Sequence, residues 1–595
     1  MAAAIIRAMK YRRIPLVIAA CALFSLTISA VSVPTRAQKG MVASQNEIAS
    51  KIGADIIAGG GTAVDAAVAT AFALAVVHPT AGNIGGGGFL VYRPAKGDAV
   101  AYDFREVAPG KASATMFLKD GKYSAEVHHN SHLAVGVPGT VAGLHLAWKE
   151  QGKLPWKRLV DPAVALARDG FAISEGLSRS LKNALRTTDA NGRPVYSMAK
   201  YPASVAAFSR NGVPYEPGDT LKQPDLARTL ERIATQGPAG FYEGETALAL
   251  EKEMLSNGGL ITRDDLKKYA AKKRVPVKGT YRGYEVFSMP PPSSGGIGVI
   301  EMLNVLEGYD LAKMGPGSAN AVHLMTEAMK RSYADRARYL GDPDFNRDLP
   351  VAKLISKQYA GDLRKTIDEK RTKSSSPASF EWSHESDETT HISVVDADRN
   401  AVSMTYTLEA GYGSKIVVPG AGFLLNNEMG DFNAAPELTT AEGLIGTKPN
   451  LAEPGKRMLS SMSPTILAKD GQLFMVTGSP GGRTIINTVL ETIVDVVDFG
   501  MNAQEAIDAP RFHHQWLPDR LDFEKYGLSA DTVAELERRG HSVRAGTGGQ
   551  GVAQVIVYNA KEDMIEGGTD RRASDGAAVG VPGRTMPPKT TAAKP

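Results

Sequence analysis

The chain has 595 residues, 43% hydrophobic and 22% charged, as expected of a soluble globular protein with room for a large core or more than one. Its formal net charge is +4, but Arg7, Lys10, Arg12, Arg13 and Arg36 all lie within residues 1–37, where there is no acid. The remainder therefore carries 4 − 5 = −1, so nucleic acid is not an implied partner; the only cysteine, Cys21, also lies there, which excludes a disulfide, thiolate metal site or cysteine nucleophile from residues 38–595.

In chain order, the basic residues before Ile14, the apolar run to Val33 and the small-x-small Thr35-Arg36-Ala37 predict a secretory signal peptide cut after Ala37. A retained anchor is the rival reading, although the run is only marginally long enough to span a membrane. Asn46 to Ile57 has helical periodicity. Ala63 to Val77 is apolar nearly all round and predicts a buried helix. The glycine run in HPTAGNIGGGGFLVY sits between helix and strand, the reverse of a phosphate-binding loop and with no Lys-Ser/Thr after it. It predicts close backbone packing. Strands follow near Leu90 to Arg93 and Ala99 to Arg105. Arg105, in YDFREVAPGK, suits either an ion pair with Asp103 or Glu106 or a fork onto a substrate carboxylate.

Residues 131–260 read as mostly helical, with a polar insertion near 187–223. YRGYEVFSMPPPSSGGIGVIEMLNVLE reads as strand, Pro-rich turn and helix, with Ser293 and Ser294 placed to cap the helix. Another helix spans Ala319 to Tyr339. Residues 374–388 are polar and Ser-rich, a surface loop. From Thr390 the pattern alternates, through Ile392, Val394, a turn at Asp396 to Asn400, then Val402, Met404, Tyr406 and Leu408. That predicts a β-hairpin with one buried face.

Thr389 stands at the loop-to-strand junction. A Thr pair at a strand start is explained by β-propensity alone. If the chain were cut before Thr389, however, one residue would carry both a hydroxyl nucleophile and an α-amine. Such amines titrate near about 7.7–8.0, against about 10.4 for lysine, which suits a general base near neutrality. AGFLLNNEMGDF predicts a returning strand bearing the carboxylates Glu428 and Asp431, a pair found in glycosidases or simply on surfaces. Residues 433–456 are long enough for a lid. Ser460 and Ser461 precede a strand. Gly481 and Gly482 lie at a strand-to-helix turn ahead of the helix from Thr484 to Val497, either as an oxyanion hole or as a tight turn. Asp396-Ala-Asp398-Arg-Asn400 lacks the Gly and Glu of a calcium loop, and the adjacent pairs His128-His129 and His513-His514 cannot easily turn both rings to one ion. No metal is implied.

GNIGGGGF, DFRE, MPPPSSGG, TTHISVV, LLNNEM, LSSMSPT and GSPGG, in this order from about Gly40 to Gly580, resemble the γ-glutamyltransferase (γ-glutamyl transpeptidase) family of N-terminal-nucleophile hydrolases. The resemblance implies an α+β fold, a four-layer αββα sandwich. It further implies a precursor that cuts itself between Glu388 and Thr389 into a large subunit (38–388) and a small one (389–595), forming a heterodimer. The implied activity is transfer of a γ-glutamyl group from glutathione or related donors to water, amino acids or peptides, without cofactor. On the family pattern Thr389 is the nucleophile and Thr407 supports it. Gly481 and Gly482 supply oxyanion amides. Arg105, Ser460 and Ser461 hold the donor α-carboxylate, Glu428 and Asp431 its α-ammonium, and Glu409 stands where many members have Asn and others Glu. Gly430 and Met458 replace residues commonly acidic and proline, and Glu442 falls where many bacterial members have a lid tyrosine. Glu388 occupies a position usually neutral. The implied location is the periplasm or outside the cell. The rival readings are a cephalosporin (glutaryl) acylase, which has less need of ammonium-binding acids, and an uncleaved periplasmic binder of glutamyl peptides.

Overall fold

The computed structural model describes residues 32–375, 389–438 and 446–583. Two seven-stranded sheets form its centre. In one, Lys272–Arg274, Val100–Phe104, Gly87–Arg93, Ala401–Thr407, Thr390–Val395, Gly40–Ser44 and Ala577–Val581 lie side by side. The other runs Thr35–Ala37, Met564–Gly567, Gln554–Asn559, Gln472–Gly478, Thr465–Lys469, Tyr284–Ser288 and Val277–Tyr281. Helices Glu47–Ala58, Ala63–Val77 and Thr140–Gln151 cover the first sheet, and Gly295–Leu306 and Thr484–Val497 the second. The order is helix, sheet, sheet, helix, the four layers expected. Among the described residues no helix is long and apolar enough to cross a membrane.

Ala63–Val77 is buried along its whole length, as its uniformly apolar sequence predicts, and is opened by a Thr62–Asp65 capping box. The helix predicted from Asn46 starts at Glu47, because Asn46 caps it, accepting a hydrogen bond from Ile48 N. The glycine run does pack backbone on backbone. A Cβ on Gly86 would lie 2.0 Å from Thr407 O, and one on Gly88 2.4 Å from Thr405 O.

Two expectations are corrected. The hairpin has two buried faces, not one. Ile392, Val394, Val402, Met404 and Tyr406 pack into the core beneath the covering helices. His391, Ser393, Ser403 and Thr405 face the second sheet, where Ser393 Oγ donates to Gln554 O (2.9 Å) and Ser403 Oγ to Thr477 O (2.9 Å). Polar alternation here marks a hydrogen-bonded seam between sheets rather than solvent. Burial lowers the His391 imidazole to about 3, so it sits neutral between Thr405 Oγ1 and Ser393 Oγ. Residues 421–432 are likewise not a strand. Asn426 spends its amide on Gly85 O and Gly136 O, and Glu428–Asp431 curls into a 3-10 turn. Thr35–Ala37, assigned to the leader from sequence, is an edge strand with Arg36 paired to Glu566 (2.7 Å), so a cut after Ala37 would remove it.

Candidate active site

The hairpin register pairs Thr390 with Tyr406, which sets Thr389 opposite Thr407. Thr389 Oγ1 donates to Thr407 Oγ1 (3.3 Å), which also accepts from Glu409 N (2.9 Å). Both threonines are buried and line one small cavity with Arg105, Glu409, Glu428, Asp431, Ser460, Ser461 and Gly482. Nine of the ten sequence-selected site residues therefore meet at one cavity. The tenth, Gly481, is the chain neighbour of Gly482. Both glycines have positive φ, 128° and 53°, and their carbonyls accept from Thr484 N (2.9 Å) and Ile485 N (3.2 Å). The turn is tight, and it closes onto the helix with its carbonyls.

Arg105 is wholly buried, at the end of the strand Val100–Phe104. Of the partners proposed from sequence, Asp103 is taken by Arg274 (2.7 Å) and Arg457 (3.2 Å) and receives only the backbone N–H of Arg105 (3.1 Å). Glu106 lies 3.7 Å away. The direct partners come from the far half of the chain: NH1 bonds Glu428 and NH2 bonds Asp431, while Nε reaches Met458 O (3.4 Å) and NH2 also Leu459 O (3.2 Å). Arg105 is thus not a bare fork awaiting a carboxylate, because two acids already neutralise it. The 3-10 turn is the reason, since it sets residues 428 and 431 on one face.

Burial alone would lower the Arg105 guanidinium; Glu428, Asp431 and Glu106 outweigh it and hold the charge more firmly than usual. Burial raises Glu428 well above the usual carboxylate range and pushes Glu106 up to about 8, in both cases against Arg105. Among the described residues, neither Glu106 oxygen has a partner in good hydrogen-bond geometry. Burial thus favours the protonated form of both Glu106 and Glu428, with Arg105 acting the other way.

Several supporting residues escaped the sequence reading. Ser294, at the N-cap, makes no side-chain cap, whereas Ser293 Oγ accepts from Gly295 N (3.1 Å) in the first turn, so the expected capping holds for Ser293 alone. The Ser293 and Ser294 hydroxyls donate to Met462 O (2.5 Å) and Ser460 O (2.6 Å), pinning the Ser460–Met462 segment. Arg336, from the helix Ala319–Tyr339, bonds Ser294 Oγ (2.7 Å) and Ser461 Oγ (3.1 Å). Asn450 donates to Asp431 O (2.7 Å) and accepts from Leu459 N (2.8 Å), tying both the acid turn and the segment before Ser460 to the loop expected as a lid. Glu442 and Glu388 lie outside the described residues. His128 Nε2 bonds Met429 O (3.2 Å), and His129 Nδ1 lies 3.2 Å from Glu409 Oε1. The adjacency of Glu106 to Arg105 is visible in the sequence; nothing local signals the rest.

The Asp396 turn, which lacks a calcium loop's residues, has structural work. Asp396 accepts from Asp398 N and Asn400 N (3.0 Å each) and from Ala63 N (2.9 Å) at the start of the buried helix. His323, Glu327 and His541 cluster, but His323 Nδ1 already meets His541 Nε2 (2.7 Å), and Arg331 (2.6 Å) and Thr372 (2.5 Å) occupy the Glu327 carboxylate.

Residues 49–580 match the family described as Gamma-glutamyltranspeptidase. The Glutathione hydrolase proenzyme of Escherichia coli (strain K12) is 48% identical over 551 residues, 92% of this chain and 93% of that one. Among solved structures, a cephalosporin acylase from Bacillus halodurans aligns with a TM-score of 0.80 at 27% identity, over 92% of this chain and 97% of that one. The gamma-glutamyltranspeptidase of Helicobacter pylori aligns at 0.51 with 47% identity, over 54% of this chain and 90% of that chain.

Proposed function

The chain belongs to the gamma-glutamyltranspeptidase family, and from that premise we propose that it is a self-processing glutathione hydrolase and γ-glutamyltransferase whose nucleophile is Thr389. The observation that carries this reading is the meeting of Thr389, Thr407 and Gly482 with Arg105, Asp431, Ser460 and Ser461 at one cavity. Hydroxyls stand at one end and a charged recognition cluster at the other, about as a γ-glutamyl group requires.

The cycle begins with scission of the Glu388–Thr389 bond, leaving residues 38–388 and 389–595 as paired subunits. The freed α-amine of Thr389 draws the proton from its own Oγ, and Oγ adds to the γ-carbonyl carbon of the donor. The oxyanion that forms needs aimed donors, each worth about 2.7–4 kcal/mol, and the turn at Gly481-Gly482 is where amides would supply them. Collapse expels the donor's amine, which takes the proton, and leaves a γ-glutamyl ester on Thr389. Water or the amine of an amino acid or peptide then attacks the ester and restores the hydroxyl.

Recognition of the head group proceeds by exchange. The donor brings a carboxylate and an ammonium together. The carboxylate moves onto Arg105, with Ser460 and Ser461 beside it, as Asp431 and Glu428 turn to the ammonium. One buried ion pair is replaced by alternating pairs and no charge is stranded, which matters because an uncompensated buried charge costs several kcal/mol. Export through the N-terminal leader is part of the same proposal.

Two measurements test it. On a denaturing gel the wild-type chain should resolve into two fragments, the smaller beginning at Thr389, and Thr389→Ala should give one inactive chain; two normal fragments from that variant would refute the assigned nucleophile. The wild type should turn over γ-glutamyl anilide well and glutaryl anilide poorly. The reverse order would favour an acylase, and a persistently single chain that binds without turnover, a binding protein.

A further inference from the structure

We propose that His129 is a positioning residue that holds the Glu409 carboxylate toward the donor's α-ammonium, and that Gly430 is glycine because the two side chains meet in the space its Cβ would fill. The proposal rests on the reading of the cavity as a γ-glutamyl site.

His129 ends the short helix Ala125–His129, and Glu409 follows the strand that carries Thr407. They are 280 residues apart, yet Nδ1 and Oε1 approach to 3.2 Å, with the Glu409 side chain only 2% exposed. With Glu409 ionised, Nδ1 carries the proton and donates it. Burial keeps His129 neutral more firmly than an ordinary histidine, with Asp431 acting the other way. The groups facing it are Glu409, Asp431 and the His128 ring at 4.3 Å. A neutral imidazole orients the carboxylate without cancelling its charge, which remains for a ligand cation.

Both partners are held from behind. The backbone of Glu409 has φ 77°, and its N–H is bound to Thr407 Oγ1. The His129 carbonyl accepts from Asn427 Nδ2 (3.2 Å), whose Oδ1 accepts from Ala410 N (3.1 Å). One asparagine thus ties the two segments together. A Cβ on Gly430 would lie 2.4 Å from His129 Nδ1 and 2.6 Å from Glu409 Oε1, closer than real contacts allow. Gly430 is absent from the positive-φ positions, so an added Cβ would act by displacing the tips of these two side chains rather than by straining the backbone. Glu409 lines the cavity beside Thr389 and Asp431, which places its carboxylate where an α-ammonium would sit.

The experiment compares the processed enzyme with His129→Leu, His129→Asn, Gly430→Ala and Glu409→Gln, recording KM and kcat on γ-glutamyl anilide together with fragment pattern and melting temperature. His129→Leu and Gly430→Ala should each raise KM about tenfold, as expected for losing a hydrogen bond to a charged group, with little change in kcat. His129→Asn, whose amide can donate from nearly the same point, should restore KM. A rise in KM with Glu409→Gln alone, His129→Leu and Gly430→Ala being unchanged, would overturn the positioning role and leave the γ-glutamyl reading standing. No rise with Glu409→Gln would overturn the assignment of Glu409 to the ammonium. If His129→Leu fails to fold, Gly430→Ala and His129→Asn decide: failure of the first to raise KM, or of the second to match wild type, sinks the proposal.

Discussion

At the Thr389 end of the cavity lie the two hydroxyls and the glycine pair to which the chemistry is proposed to fall, each pair a short-range product of one hairpin or one turn. At the Arg105 end a single guanidinium faces Glu428 and Asp431, with Glu106 close by, from segments more than 300 residues apart. The first end is neutral and set by β register; the second is a charge balance that exists only once the chain has folded. Chemistry and recognition can therefore fail separately.

The largest effect that should separate the ends is Arg105→Ala. It strands buried Glu428 and Asp431, a loss of about 3–5 kcal/mol for a broken buried pair. The melting temperature should fall and KM for γ-glutamyl anilide rise steeply, while the two-fragment pattern persists. Fragment yields falling in step with binding would mean that the two ends are mechanically one.

A smaller change attacks the other end. Thr407→Val keeps the strand but removes the oxygen that accepts from both Thr389 Oγ1 and Glu409 N. Leaving those donors unpaired costs about 1–3 kcal/mol, so precursor cleavage should slow by about tenfold or more with KM little altered. Cleavage followed in time on a gel checks this, and an unchanged rate would remove Thr407 from the mechanism.

A third effect is read in the pH dependence. Glu106 is raised from 4.5 to about 8 in the fold, so its contribution to stability is complete below about 4.5 and is lost as pH climbs through about 8. Glu106→Gln should abolish that decline: the melting temperature of the variant should gain on wild type between about pH 5 and pH 8 and then level off. Parallel melting curves would show that Glu106 holds no proton there.

Much of the nucleophile end was legible in sequence. Alternation from Thr390 to Leu408 announces a hairpin, and with its turn at Asp396 to Asn400 the pairing of residue 389 with 407 follows. The buried helix Ala63–Val77 and the crowded glycines before Phe89 are equally local statements. The αββα order came from the family resemblance rather than from periodicity. The polar face of the hairpin shows why: His391, Ser393, Ser403 and Thr405 read as solvent-facing until a second sheet supplies their partners.

What the amino-acid order determined by itself, then, is how the hairpin aligns Thr389 with Thr407, because strand register is fixed by short-range pattern, while the roles proposed for the site residues came with the family resemblance. Only the tertiary structure decided that Arg105 arrives already paired, that Ser293 and Ser294 pin the Ser460–Met462 segment, and that His129 finds Glu409 across Gly430. Those outcomes depend on distance and burial between segments hundreds of residues apart. Coulomb energy and steric exclusion act through space, and residue order carries no record of them.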